Sequence, residues 1–436
     1  MIYQSVSNQV THIIKYMILT TCNVLRLSKE QYKIVDTLSF LSKNMYNYGL
    51  YMSRQHFFRN NTVLKFSELW RECKGNENHK ILATCAADQT LKIVERSMKS
   101  FSSLKKKKDK GWYQAEVNLP HYLPKNGRFA LVFPAREVSC HNHEAIIPLS
   151  HAFRKDHNLK RGEFRIPIPA HINPNQLIEL RILPIHGGKF YKSEWVYEVK
   201  EKPSLNQDNW LSIDLGVNNF ATCVDSVTGT PIIYDGKYLK SLNRYYNKEI
   251  SKYQSIKDKQ GIRTVTNKIA KLWLKRSRQI NDFMNKTVHS IVEHCKTHDI
   301  GNLAVGELKG MKNESNLGRR NNQVICQTPW GKFKSKLESK CKLAGITYHL
   351  VDESYTSQTD ALVLDPIQKP ESNNRKKRGL FQSKCGKLIN ADVNGALNIL
   401  RKVSSDSVVK QIIGSGRVYR PVSCQMVKSG SIQIKL

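Results

Sequence analysis

The stretch SIDLGVNNFAT, residues 212–222, places a carboxylate inside an apolar strand. Trp210–Leu215 and Phe220–Asp225 read as two strands joined by a tight Gly216–Asn219 turn. A charge such as that of Asp214 is costly to bury in a strand unless it is paired or binds a metal ion. The pattern therefore predicts a buried strand that carries a functional acidic group just before a glycine turn.

Two further carboxylates lie in comparable settings. Glu307 ends the apolar strand of NLAVGELKG, and Asp392 begins a helix in NADVNGALNIL, where Gly395 and Ala396 allow close packing on a sheet. Carboxylates at strand ends and at a helix start can converge on one point of an α/β sheet. Oxygen ligands in that number suit Mg or Mn. Two such ions, about 4 Å apart, can drive hydrolysis of a phosphodiester. We predict that Asp214, Glu307 and Asp392 are catalytic and bind two ions.

Each carboxylate taken singly has a simpler interpretation. Asp392 could be a helix N-cap, Glu307 a surface charge at a strand end, and Asp214 the partner of one of the many cations. The ordered set of three, each in its own structural context, favours the metal site.

The net charge indicates a polyanionic partner. The chain has 70 Lys and Arg against 36 Asp and Glu, a net charge of +34. Such an excess repels itself unless a polyanion neutralises it, and nucleic acid is the usual one. Basic runs are more often solvated faces, so we name the candidate contacts as hypotheses only. They are Lys105, Lys106, Lys107, Lys108, Lys268, Lys271, Lys275, Arg276, Arg278, Arg375, Lys376, Lys377 and Arg378.

The pattern of apolar residues and of Pro and Gly changes several times along the 436 residues, which predicts several domains. Helical periodicity alternates with Pro- and Gly-punctuated strands, and a polar linker begins near residue 201. The predicted order is an N-terminal extension (1–18), a β-rich, barrel-like domain (19–28 and 119–200) with a helical insert (29–118), an α/β domain (201–359 and 387–405) with its own insert (360–386), and a C-terminal tail (406–436).

Other classes of protein find little support. The ten cysteines show no C-x-x-C spacing, so no zinc ribbon is visible. No apolar run reaches the roughly 20 residues that span a bilayer, and no signal peptide is evident. We expect no membrane partner and a cytoplasmic, nucleoid-associated protein of a prokaryote.

The three acidic motifs resemble the RuvC motifs of TnpB proteins, the transposon-encoded ancestors of type V CRISPR effectors. YNYGLY near residue 46, FRIPIP at 164, GGKFYKSEWVYEV at 187 and ESYTSQT at 353 also match. The resemblance covers residues 20–403. It implies a multidomain α+β protein with a wedge-type β-domain, a helical recognition insert and an RNase H-like (RuvC) nuclease domain. It further implies an RNA-guided DNA endonuclease, with a guide RNA from the transposon end and a double-stranded DNA target whose displaced strand it also meets.

One departure from the family concerns zinc. Where many members carry two C-x-x-C pairs, this chain has Asp360, Val363, Gln382 and Cys385. One thiol cannot form a four-cysteine site, so no zinc is expected. Ordinary contacts must hold the segment, through an apolar patch of Leu362, Val363, Leu364 and Ile367 facing Leu380 and Phe381. We place its basic run Arg375–Arg378 near the active site.

Four alternatives stay open. The chain could be a compact type V CRISPR effector, with the same nuclease chemistry. It could be a nuclease-dead, RNA-guided DNA-binding repressor, although no catalytic carboxylate is lost. A DNA-moving transposase lacks a convincing Tyr or His pair for strand transfer. A plain basic binding protein leaves the three motifs unexplained.

Overall fold

The chain folds as a mixed α/β, multidomain protein with two compact units. The computed structural model describes residues 16–307, 318–369, 375–377, 379–426 and 432–435. The N-terminal unit is Met1–Lys200 and the C-terminal unit is Glu201–Leu436. Among the described residues, no helix has both the length and the apolar character needed to cross a bilayer.

The N-terminal unit combines helices with two antiparallel sheets. Four strands pair in the order β1-β7-β6-β2 and three in the order β3-β4-β5. The described pairing closes neither sheet, so the barrel-like form stays a prediction. The elements are β1 (Tyr16–Val24), α1 (Lys29–Asn60), α2 (Phe66–Cys73), α3 (Glu77–Ile81), α4 (Thr84–Asp109), β2 (Leu131–Pro134), β3 (Ser139–His141), β4 (Glu144–Ile146), α5 (His151–Asp156), β5 (Arg165–Pro167), β6 (Leu177–Ile185) and β7 (Phe190–Lys200).

The two long helices of this unit form where local sequence predicts them. The predicted capping box is confirmed, since Gln31 N donates to Ser28 Oγ at 3.2 Å and Ser28 N donates to Gln31 Oε1 at 3.0 Å. Helices α1 and α4 then pack closely at Gly49, where an added Cβ would lie 2.7 Å from Leu91 Cδ2. The helical stripes inferred from periodicity are therefore the buried faces of this pair.

The C-terminal unit is built on a seven-stranded mixed sheet, β12-β11-β8-β9-β10-β16-β17. Strands β8, β11 and β12 run parallel, while β8, β9 and β10 are antiparallel neighbours. The elements are β8 (Trp210–Leu215), β9 (Asn219–Asp225), β10 (Ile232–Asp235), α6 (Lys237–Lys259), α7 (Asn267–Thr297), β11 (Asn302–Glu307), α8 (Arg319–Gln327), α9 (Trp330–Ala344), β12 (Thr347–Asp352), β13 (Arg375–Lys377), β14 (Leu380–Gln382), β15 (Leu388–Asn390), α10 (Ala391–Arg401), α11 (Asp406–Gly414), β16 (Val422–Met426) and β17 (Ile432–Lys435).

Helices cover both faces of this sheet. Residues that alternate along β8, such as Ile213, share one apolar cluster with Phe283 of α7 and Phe333 of α9. Val224 of β9 joins a second cluster with Val393 of α10. The predicted strands β8 and β9 and helices α7, α9 and α10 are confirmed, and the sheet is buried between layers.

The residues assigned to a C-terminal tail form structure instead. Strand β16 pairs in parallel with β10 and antiparallel with β17, so the two strands form one end of the seven-stranded sheet. Cys424 of β16 is buried. A five-residue strand has little periodicity of its own, and pairing with a distant strand is what defines it.

Hydrogen bonds join the two ends of the 360–386 segment to each other and its start to α10. Asp360 is 1% exposed, and its carboxylate accepts from Leu362 N at 3.0 Å and from Lys384 N at 2.7 Å. Asn394 of α10 accepts from Ala361 N at 3.0 Å. Of the predicted apolar patch, Leu362, Leu364 and Phe381 pack into the cluster around α10, whereas Val363 is exposed. One buried carboxylate thus joins two turns that lie far apart in the chain.

We predict that Asp360→Ala destabilises the C-terminal unit. The substitution leaves two backbone N–H groups without their acceptor, at a cost of about 1–3 kcal/mol for each buried group. Urea unfolding measures the loss, and hydrogen exchange should be faster at the amides of Leu362 and Lys384. Glu338→Ala, which removes an exposed i,i+4 ion pair with Lys342, is the control and should change stability little. Wild-type stability and exchange in Asp360→Ala would contradict the role of this carboxylate.

Candidate active site

Asp214 lies in β8, an interior strand of the sheet, and faces helix α10. It pairs with Thr222 of β9, and the preceding Ile213 pairs with Val305 of β11. Asp214 is half-buried between the buried Ile213 and Leu215. A Cβ added to Gly395 would lie 2.7 Å from Asp214 Oδ2. The carboxylate therefore occupies space that is open only because residue 395 has no side chain.

Asp392 is the second residue of α10, and it does not cap the helix. Asn390 is the N-cap: its Oδ1 accepts from Asp392 N at 2.9 Å and from Val393 N at 3.3 Å. The Asp392 carboxylate instead accepts from Asn219 Nδ2 at 2.7 Å. The simple N-cap interpretation of Asp392 is thus wrong, and Asn219, in the first motif, is a partner that the sequence did not single out.

The contacts of α10 bring Asp214 and Asp392 to the same part of the sheet. Asn219 is the first residue of β9, five residues beyond Asp214 across the β8–β9 turn, and it holds Asp392 there. Gly395, about one helical turn beyond Asp392, touches the Asp214 carboxylate. Two acidic side chains from distant motifs therefore flank the carboxyl end of β8.

Glu307 ends the neighbouring strand at the same edge of the sheet. It lies two residues beyond Val305 of the parallel β8–β11 pairing, and it pairs with Asp352 of β12. The side chain is half-buried. Within the described residues, no three His, Cys, Asp or Glu side chains gather closely enough to hold a metal ion. Like charges repel one another, so three carboxylates do not move into contact unless a cation offsets their repulsion.

Glu353, directly after β12, is an acidic residue that sequence reasoning left without a role. Its Oε1 occupies the space that a side chain at position 306 would fill, next to Glu307. This oxygen is buried and has no hydrogen-bond partner among the described atoms. Burial raises the pKa of Glu353 to about 7; the charges of Lys334 and Lys402 lower it and that of Asp352 raises it. In the sequence, Glu353 is the first residue of the ESYTSQT stretch, which matches the TnpB pattern but did not by itself assign a role to this residue.

The basic residues predicted to contact nucleic acid fall into three groups. Lys105–Lys108, in the last turn of α4, are exposed. On α7 one exposed stripe follows helical spacing and consists of Lys268, Lys271, Lys275 and Arg278. The side chains of 375–377, in β13, and the whole of Arg378 lie outside the described residues.

Arg276 has a structural partner instead. Its Nε and Nη2 donate to Asn243 Oδ1 of α6 at 3.0 and 2.8 Å, and burial lowers its pKa. The side chain therefore links two helices of the C-terminal unit and is not part of the exposed stripe.

We predict that Glu353→Gln changes the pH dependence of stability. With its pKa raised, Glu353 keeps its proton in the folded state up to about pH 7. The unfolded chain releases that proton near its ordinary pKa of 4.5. Wild-type stability should therefore fall between these values, and the variant should gain on the order of 1–3 kcal/mol over wild type above pH 7. Urea unfolding from pH 5 to 8 measures this. Glu338→Gln, at an exposed site, is the control, and parallel curves for wild type and Glu353→Gln would refute the assignment.

Comparison with known families matches the chain in two places. A family described as a probable transposase (OrfB_IS605) matches residues 194–312, and the TNB domain of Cas12f1-like proteins matches residues 330–399. The first contains Asp214 and Glu307, and the second contains Asp392.

Individual relatives agree with these matches. The TnpB-like protein ORF457 of Acidianus two-tailed virus is 26% identical over 198 residues, which cover 44% of this chain and 41% of that relative. Among solved structures, a Cas12f1–sgRNA–target DNA complex matches with a TM-score of 0.57 at 15% identity, over 85% of this chain and 83% of that one. A CRISPR–Cas12f ternary complex matches with a TM-score of 0.35 at 16% identity, over 84% and 81%. The two family matches and the curated relative support the resemblance to TnpB proteins over parts of the chain, and the Cas12f1 structure shows a similar fold.

Proposed function

We propose that this protein is an RNA-guided DNA endonuclease of TnpB type, which cleaves target DNA beside a short motif by metal-dependent hydrolysis. The observation that carries the proposal is the contact of α10 with β8, where Asp214 and Asp392 flank one strand end. Glu307 ends the adjacent parallel strand. A mixed sheet with β8 in its interior and helices on both faces supports an RNase H-like, RuvC-type domain.

Asp214, Glu307 and Asp392 would hold two Mg or Mn ions. All three side chains are half-buried among buried neighbours, so an ion can reach them. Carboxylate oxygens are the donors that these hard cations prefer. Bound there, the ions would activate a water molecule and stabilise the leaving oxygen of the phosphodiester. The Asn390 cap keeps the Asp392 carboxylate out of the helix terminus, and Asn219 orients it.

Guide RNA from the transposon end and double-stranded DNA are the partners that the surface supports. The net charge is +34, and the α4 run and the α7 stripe are exposed. Base pairing with a guide would supply most of the specificity, so the protein needs mainly backbone contacts. The solved Cas12f1 relative was determined with sgRNA and target DNA. We place the activity in the prokaryotic cytoplasm, on the nucleoid.

A compact type V CRISPR effector is the second candidate, because residues 330–399 match a Cas12f1-like domain. Sequencing the RNA that co-purifies with the protein separates the two: a transposon-end RNA supports the first, and a CRISPR repeat supports the second. A nuclease-dead repressor is less favoured, since all three carboxylates are present.

Asp214→Ala is expected to abolish cleavage while leaving guide and target binding intact. The carboxylate serves the ions and makes no phosphate contact, so its loss removes the chemistry alone. Duplex cleavage in Mg measures the first effect and electrophoretic mobility shift the second. Mn should raise the melting temperature of wild type, as a ligand of the folded state does, but not that of the variant. The control is Asp208→Ala, an exposed carboxylate of the same unit. Wild-type cleavage by Asp214→Ala would show that the site is misassigned.

We also propose that the 360–386 segment folds without zinc. Asp360 and the amides of α10 make the connections that a bound metal would make in a ribbon. Elemental analysis of purified protein should find no stoichiometric zinc, and a zinc chelator should leave the melting temperature unchanged. One zinc per chain, or melting at lower temperature with chelator, would contradict the proposal.

A further inference from the structure

The ends of α1 and α4 enclose an open cavity of about 540 Å³ in the N-terminal unit, which we call the α4 cavity. Its lining includes Trp112 and the lysines 99, 106, 107 and 110. We propose that the α4 cavity binds an unpaired nucleotide of a single strand, with its base stacked on Trp112 and its flanking phosphates on the lysines. The proposal rests on the nucleic-acid function above and names a site for it.

The backbone fixes Trp112 beside the cavity. Helix α4 ends in a Schellman motif, in which Gly111 N donates to Lys108 O at 2.8 Å and Trp112 N donates to Lys107 O at 2.9 Å. Gly111 has a φ of 76°, a conformation that glycine adopts without a steric cost. A residue at the position of Trp112 commonly packs back on its helix. Trp112 is instead 75% exposed, so its aromatic ring is presented to solvent from a defined backbone position.

The charges around this ring are of one sign. No acidic side chain lines the α4 cavity. Within the described part of the chain, Lys106, Lys107 and Lys110 have no ion-pair partner, whereas Lys99 pairs with Glu95 at 2.8 Å. Lys110 Nζ lies 5.1 Å from the Trp112 ring centroid. Lysines in a last turn also complement the helix dipole, which accounts for Lys106 and Lys107 but not for an exposed tryptophan in a cavity.

The shape and chemistry together favour a single strand. The volume falls within the roughly 300–1,000 Å³ of small-ligand pockets. Stacking on an aromatic ring needs a base that is free of its own duplex, and every base has such a face, so this contact tolerates any sequence. Hydroxyl groups of Ser102 and Ser103 line the same space and can meet a sugar or a base edge. An acidic peptide would satisfy the lysines but has no base for Trp112.

Fluorescence anisotropy of full-length protein, without guide or metal, tests the site. The probes are labelled oligouridine RNA and oligothymidine DNA of about 15 nucleotides, the upper range of single-strand site sizes, and a duplex DNA of equal length. Trp112→Ala should weaken single-strand binding about tenfold, the effect of one stacked base. It should leave duplex binding and the salt dependence unchanged, and Trp112→Phe should restore most of the affinity.

Loss of the cavity lysines should instead change how strongly single-strand binding depends on salt. Lys106→Ala/Lys107→Ala should lower the slope of log Kd against log salt by about 1.4, or about 0.7 for each phosphate contact to a single strand. The matched control is Lys80→Ala/Lys189→Ala, which removes two exposed lysines outside the cavity and should not change that slope. Melting curves of all variants check folding, which exposed substitutions should preserve.

The outcomes distinguish RNA from DNA as the bound strand, and they distinguish failure of this proposal from failure of the proposed function. A larger loss for RNA in Trp112→Ala assigns the site to guide RNA, a larger loss for DNA assigns it to the displaced strand, and equal losses show that it accepts both. Unchanged single-strand binding, an equal loss for duplex, or displacement of the strand by oligoglutamate as effectively as by unlabelled strand would overturn the proposal. If one of these results is obtained and the protein still performs guided cleavage, only the cavity proposal fails and the proposed function is retained. Strand binding by the cavity without any guided cleavage removes only the proposed function.

Discussion

The close approach of α10 to β8 is the contact on which the candidate active site depends. Ser212 Oγ donates to Ala396 O at 2.8 Å, which joins strand and helix through a buried hydrogen bond. Beside it, Gly395 leaves room for the Asp214 carboxylate. A side chain at residue 395 would have to displace either the Asp214 carboxylate or helix α10. The glycine thus allows both the packing of α10 on β8 and the observed position of the Asp214 carboxylate.

Helix α10 is also held from its other side, by buried amides. Asn394 Nδ2 and Asn398 Nδ2 both donate to Thr359 O at 2.8 Å, and both residues are fully buried. Asp360 continues this network to the turn at Lys384. Buried polar groups are costly unless they are satisfied, so these contacts specify one position of the chain on the helix. In this way the segment that lacks zinc ligands still fixes the helix that carries Asp392.

The basic residues show why composition alone does not identify a binding surface. The sequence groups Arg276 with its neighbours on α7, yet its planar guanidinium forms a two-pronged contact with Asn243. The neighbouring lysines are exposed and remain available for phosphates. Spacing along the helix separates the two roles, because a helix presents residues three or four apart on one face and directs the others elsewhere.

The sequence by itself determined helices α1, α4, α7, α9 and α10, strands β8, β9, β11 and β12, and the three acidic motifs, because hydrophobic period, caps and turns act within a few residues. Only the tertiary structure decided which distant groups meet. It assigned the cap of α10 to Asn390 and the partner of Asp392 to Asn219. It also placed Glu353 over Gly306 and added β16 beside β10. Each of these depends on a contact between residues remote in the chain, for which local periodicity carries no signal.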